Sequence, residues 1–126
     1  MSDPRPVRRI RDPETLAQFR ALGLCCLVCG ARPTDPHHVY LKSRGGDDVF
    51  DNLVPLCRRC HGAYHEWNGP AVRSKIGKWL VTEDGQECRA YLVGKLGRGP
   101  AESFMAREFG VRHGFVCVVD ESGGIA

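Results

Sequence analysis

An α+β fold is predicted by three features of the sequence. Two Cys-x-x-Cys pairs, Cys26/Cys29 and Cys57/Cys60, can aim four thiolates at one ion, and two such pairs complete the tetrahedron of a structural zinc site. Four of the histidines fall between residues 37 and 65, His37 and His38 in an extended run and His61 and His65 one helical turn apart. The order around them is strand, glycine loop, strand, helix, with helical periodicity before and after. Together they describe a small zinc-stapled ββα core with flanking helices. A staple suits this chain, because 15 glycines and 8 prolines in 126 residues leave a small, loop-rich core that supplies only a few kcal/mol of net stability.

The first eleven residues read as a flexible basic arm, Arg5, Arg8, Arg9 and Arg11 being opposed only by Asp3. Such an arm either contacts phosphates or stays solvated. A helix follows, with Asp12 as its cap, Pro13 in its first turn, Leu16 and Phe19 on its apolar face and Gly23 at its end. Residues 32–36, rich in proline, read as turn; 37–41 (His-His-Val-Tyr-Leu) as the first strand; and 43–48, with Gly45-Gly46, as loop. Leu53-Val54-Pro55-Leu56 is a second strand that Pro55 demotes to an edge, and Cys57 to Trp67 a helix ended by Asn68-Gly69-Pro70.

Helices are expected over 71–80, with Val72, Ile76, Trp79 and Leu80 on one face, and over 86–96, with Tyr91, Leu92 and Leu96. Thr82 is a candidate cap for the second. A short helix over 101–109 and a last strand at Phe115–Val119 complete the elements. The arm therefore covers 1–11, the stapled domain 12–97 with its core at 25–67, and a C-terminal extension 98–126.

The net charge of +3 is compatible with a nucleic-acid partner without demanding one. No apolar run is long enough for a membrane span, and the N-terminus has no secretory h-region, so the expected location is the cytoplasm. Seven cysteines in that reducing compartment argue for metal rather than disulfides. Cys25 can substitute for Cys26, but the two-residue gap and Gly30 favour Cys26; Cys88 and Cys117 sit in apolar settings that suit a core.

His61 and His65 share one helical face and can chelate one ion. His37 and His38 point to opposite faces of a strand, so one can ligate metal while the other remains free as a base. Asn52, at the start of the second strand, can offer an amide oxygen across the hairpin.

His37-His38-Val39, Gly45-Gly46, Asp51-Asn52-Leu53, Leu56-Cys57 and Cys60-His61 resemble, in order and spacing, the HNH (ββα-metal) endonuclease pattern, and the knuckles resemble its zinc-bearing, often phage-encoded subset. The resemblance covers about residues 25–67. It implies a metal-dependent DNA endonuclease in which His38 is the general base, Asn52 its orienting partner and His61 a metal ligand. The His37 position is commonly aspartate in zinc-bearing members; histidine there, with His61 and His65, looks like the three-histidine site of related bacterial toxins. The implied cofactors are a structural zinc on Cys26, Cys29, Cys57 and Cys60 and one catalytic divalent cation (magnesium, manganese, nickel or zinc), and the implied partner is DNA, within a larger phage or DNA-processing assembly for some members. Lys42, Arg44, Arg58 and Arg59 are weaker candidates for phosphate contact, with solvated charge as the alternative. A non-catalytic zinc-ribbon DNA-binding module explains the cysteines but needs neither histidine pair, and the same holds for a protein–protein adaptor.

Overall fold

The computed structural model describes residues 9–112. Residues 1–8 of the expected arm, the strand expected at Phe115–Val119 and Cys117 lie outside the described residues. In chain order the elements are α1 (Pro13–Ala21), β1 (Thr34–His38), β2 (Leu53–Cys57), α2 (Arg58–His65), α3 (Gly69–Leu80), α4 (Gln86–Leu96) and α5 (Arg98–Phe109), with short 3₁₀ turns at Lys42–Arg44, Phe50–Asn52 and Glu83–Gly85.

β1 and β2 form an antiparallel hairpin in which His37 faces Val54 and His38 faces Leu53. The first strand begins three residues earlier than expected and ends at His38. Pro36 lies directly opposite Pro55. Beyond the strand, the Val39 N–H donates to Asn52 O at 2.9 Å. Because bonded and non-bonded pairs alternate along an antiparallel ladder, this places the two prolines at a pair that exchanges no N–H bonds. Neither therefore costs the sheet a donor. On the outer side, the Pro55 carbonyl accepts from the Leu27 N–H at 2.9 Å, which ties the first cysteine knuckle to β2.

α1 is capped by Asp12, whose carboxylate accepts from the Thr15 N–H, with Pro13 in the first turn. α2 follows β2 without a linker, Cys57 serving as its N-cap through its sulfur. The Asn68-Gly69-Pro70 run that stops α2 also starts α3, with Pro70 in the first turn. Thr82 does not cap α4; its hydroxyl donates back to Trp79 O at 2.6 Å. Instead, Arg89 is buried and donates to the carbonyls of Leu80 and Thr82, closing the α3–α4 connection. α5 starts at Arg98, earlier than expected, because Pro100 fits its first turn as Pro70 does in α3.

One apolar core runs through the hairpin and helices α2 to α5. Val39, Val54 and Leu56 meet Tyr64 from α2, Ile76 and Leu80 from α3, Leu92 from α4, and Phe104, Met105 and Phe109 from α5. Burying each Leu- or Ile-sized side chain contributes about 1.5–3 kcal/mol. The helices thus supply most of the apolar burial, while the hairpin and α2 are left to carry polar chemistry on their outer side.

Candidate metal and catalytic centre

Cys26, Cys29, Cys57 and Cys60 converge so that their sulfurs all lie within 4.8 Å of one another. Cys29 Sγ and Cys57 Sγ are 3.7 Å apart. A zinc tetrahedron with bonds of about 2.3 Å has S–S edges of roughly 3.8 Å, so the donor set fits that ion. Backbone N–H groups already point at the sulfurs, Val28 at Cys26 (3.4 Å) and Cys60 at Cys57 (3.5 Å). Burial pushes the Cys26 thiol up, but backbone N–H bonds more than reverse this and bring it down to about 7. Cys60 is pushed up by burial and by the three neighbouring sulfurs. Four thiolates in this space need a cation among them, and the cluster could hold a structural zinc. Cys25 is exposed and stands outside the cluster, its sulfur 3.3 Å from Arg32 Nε.

The second cluster unites β1 with α2. His37, His61 and His65 each offer a ring nitrogen, and these lie within 4.8 Å of one another. His61 and His65 stand one turn apart on α2, and the His37 ring lies across the His61 ring with centroids 5.0 Å apart. The Tyr64 ring packs on His37 at 4.5 Å and holds it there. His37 is 2% exposed, and its Nε2 is buried with no hydrogen-bond partner among the described residues. Leaving a polar nitrogen in that state costs about 1–3 kcal/mol, which a bound cation would offset. Burial, and then the nearby His61, His65 and His38, push the His37 pKa down to about 3. His61 is lowered for the same first reason, followed by His65. Neutral imidazoles are the form that ligates metal, so the residues fit a divalent cation of the zinc, nickel or manganese kind.

His38 points away from this trio into a separate network. Its Nε2 is 2.7 Å from Asp48 Oδ1. Asp48 is in turn held by Arg9 (Nη2 to Oδ1, 2.5 Å) and by the Asp12 N–H (to Oδ2, 2.8 Å). Burial pushes the Asp48 carboxyl up, but the Asp12 N–H, His38 and Arg9 outweigh it and leave it below the usual range. Asp48 is therefore an ionised, acceptor-only partner, and His38 Nε2 must carry the proton of that bond. Burial pushes His38 down; Asp48 pulls it partly back, while Lys42 and Arg9 push it further down. The ring is accordingly neutral at pH 7, and Nδ1 is its acceptor nitrogen.

Asn52 does not reach His38. It is fully buried, its Oδ1 accepting from the Tyr40 N–H at 2.8 Å and its Nδ2 donating to Tyr40 O and Asp47 O, each at 3.1 Å. The side chain thus takes the place of a β-partner for Tyr40, and this ends β1 at His38. The contact to His38 expected of Asn52 is made by Asp48, and Asn52 instead bonds the loop that carries it. Gly45 makes that loop possible with a φ of 104°. At Gly46, a Cβ would lie 1.6 Å from Tyr40 O. The neighbouring Asp47 accepts from the Ile10 N–H (2.6 Å), the Tyr91 hydroxyl (2.7 Å) and Lys95 (2.9 Å). Residues 9–11, assigned to the mobile arm, are thus docked on the loop, and Arg9 is engaged with a carboxylate.

Both histidine sets open into one cleft of about 530 Å³, whose rim includes Lys42, Arg58 and Arg20. Of the basic candidates, Lys42 and Arg58 line it. Arg44 is exposed and does not line it, and Arg59 borders a recess beside Trp67. Arg20, 3.2 Å from Asp35, has no signal in the sequence that marks it for the cleft. The sequence signal for Asp48 is slight, an acidic pair directly after two glycines.

A hairpin and helix enclosing a histidine trio, beside four convergent cysteines, make a ββα unit whose two clusters could each hold a metal ion. Residues 26–66, about a third of the chain, match the family model described as HNH endonuclease. No curated protein matches the chain, and no solved structure does. The HNH domain points to nuclease activity and metal binding. None of the helices among the described residues is long and apolar enough to cross a membrane.

Proposed function

We propose that this protein is a metal-dependent DNA endonuclease in which His38 is the general base. In this reading His37, His61 and His65 hold one divalent cation, and Cys26, Cys29, Cys57 and Cys60 hold zinc. The observation that carries it is the pairing, in one cleft, of three convergent imidazoles with a fourth, His38, bonded to Asp48 at 2.7 Å. A zinc-ribbon binding module has no use for that pairing.

His38 takes the proton of a water on Nδ1 while Asp48 holds Nε2–H and stabilises the imidazolium that forms. The water oxygen attacks phosphorus as the bond to the 3′ oxygen breaks. A cation on the three histidines would supply Lewis-acid stabilisation of the charge on the phosphate and leaving oxygen. Lys42 and Arg58, on the rim, hold flanking phosphates in position. The test is plasmid cleavage by protein stripped of loosely held metal, with magnesium, manganese, nickel or zinc added back singly. Cleavage restored by one of them, and abolished in His38→Ala, is expected; cleavage indifferent to every added ion overturns the reading.

A further inference from the structure

A second cleft, of about 440 Å³, opens where α3 packs on α5. α3 contributes Arg73, Ser74 and Lys78, α5 contributes Arg107 and Glu108, and Arg112 follows. Its one carboxylate, Glu108, accepts the Tyr64 hydroxyl at 2.8 Å. Lys78, Arg107 and Arg112 form no ion pair among the described residues. The cleft is therefore concave and strongly positive, with cations converging from two elements.

Its position gives this charge a meaning. Tyr64 touches both the histidine trio and the lining of this cleft, its ring packing on His37 at 4.5 Å. From the cleft, Arg73 Cζ lies 5.3 Å from the same ring and Glu108 accepts its hydroxyl. One tyrosine side chain is a short step for a nucleic-acid strand, which advances about 3.4 Å per nucleotide. A strand with its scissile phosphate at His37, His61 and His65 reaches this cleft within a few nucleotides.

We propose that the α3–α5 cleft binds the sugar–phosphate backbone of the nucleic-acid substrate, a few nucleotides from the bond that is cut. This rests on the nuclease reading above. It assigns a substrate-binding role to α3 and α5, which lie outside the family-matched residues.

The test is fluorescence anisotropy with a labelled 20-base-pair duplex across a salt series, using the full chain carrying His38→Ala so that no cutting intervenes. Adding Lys78→Glu and Arg107→Glu together is expected to weaken binding at least about tenfold at 0.1 M salt. It should also flatten the log K against log salt slope by about 2, at roughly 0.9 for each phosphate no longer neutralised. Lys78→Gln with Arg107→Gln, a milder pair, should flatten the slope equally with a smaller loss of affinity. Lys75→Glu, on the same helix but facing the Trp67 recess, should leave the slope nearly unchanged. Zinc content and the unfolding transition check that each variant is folded. A parental slope in both double variants, or an equal flattening by Lys75→Glu, overturns the cleft assignment while leaving the nuclease reading intact. Failure of the His38→Ala parent to bind any duplex overturns both.

Discussion

The His38 ring and the Asp48 carboxylate sit 2.7 Å apart, and the same carboxylate oxygen is held by Arg9. The pair is nearly buried, so its hydrogen bond is electrostatically stronger than the same bond in water. It fixes which His38 nitrogen carries the proton, and thereby which one is left as an acceptor.

Removing that anchor should slow the chemistry more than it weakens substrate binding. Asp48→Ala is expected to lower kcat by about 10–100-fold, the scale found for partners that orient a functional histidine, with KM little changed. Asp48→Asn keeps an acceptor oxygen and should recover part of the loss. Steady-state cleavage kinetics on all three proteins decide it; a pure KM effect would assign Asp48 to substrate binding.

His38→Ala should abolish cleavage, by a factor on the order of 10²–10⁴, while zinc content and duplex affinity stay near parental. Plasmid nicking and anisotropy on the same preparation read the two quantities. Parental cutting by the variant would remove His38 from the reaction.

One tightly held zinc per chain is expected from elemental analysis of fresh protein. Because metal binding and folding are coupled, Cys26→Ser, Cys57→Ser or Cys60→Ser should unfold or precipitate the chain. Cys25→Ser should do neither, since Cys25 is exposed and outside the cluster. Equal damage from Cys25→Ser would contradict the four-sulfur assignment.

His65 is the exposed member of the histidine trio. If it ligates the cation, His65→Ala should need more added metal for half-maximal cleavage and recover activity at high concentration. Weaker duplex binding with an unchanged metal titration would place it on a phosphate instead.

Asp47 predicts an acid-sensitive fold. Burial raises its carboxyl, but the Ile10 N–H, Tyr91 and Lys95 outweigh this and hold it below the ordinary range in the folded protein. A depressed folded-state pKa contributes stability that is complete above the unfolded value, about 3.9, and is lost as pH falls through the folded value. Asp47→Asn should therefore cost about 1.5–3 kcal/mol near neutrality, and the gap between the two proteins should close below about pH 4. Urea unfolding at several pH values measures it; a gap independent of pH would show that the charge is not what Asp47 contributes.

The cysteine and histidine clusters were legible in the sequence because their convergence follows from short spacings: two residues between cysteines in a tight turn, and one helical turn between His61 and His65. Helices α3 and α4 were legible from their apolar period. The start of β1 was not, because Pro36 reads as a turn until its partner is known to be Pro55, with which it shares a pair that needs no donor. The partner of His38 was hidden for a related reason. Asp47-Asp48 after two glycines looks like solvated loop, and only the arrival of residues 9–12 from one side and α4 from the other buries it. Asn52 reads in the sequence as the partner of His38, but its side chain bonds the backbone of Tyr40 and Asp47 rather than the His38 ring.

The bracing of Asp47 and Asp48 also redraws the boundary of the working unit. A peptide cut at the family limits, 26–66, would retain every proposed metal ligand and the His38 imidazole. It would lose Arg9, Ile10, Asp12, Tyr91 and Lys95, all of the groups that clamp the two acids from outside the hairpin. The proposed reacting groups are thus encoded in a third of the chain, while their alignment is encoded in sequence that flanks it on both sides. Transplanting the motif alone into another scaffold would carry over the ligands and leave the aim of the base to the new host.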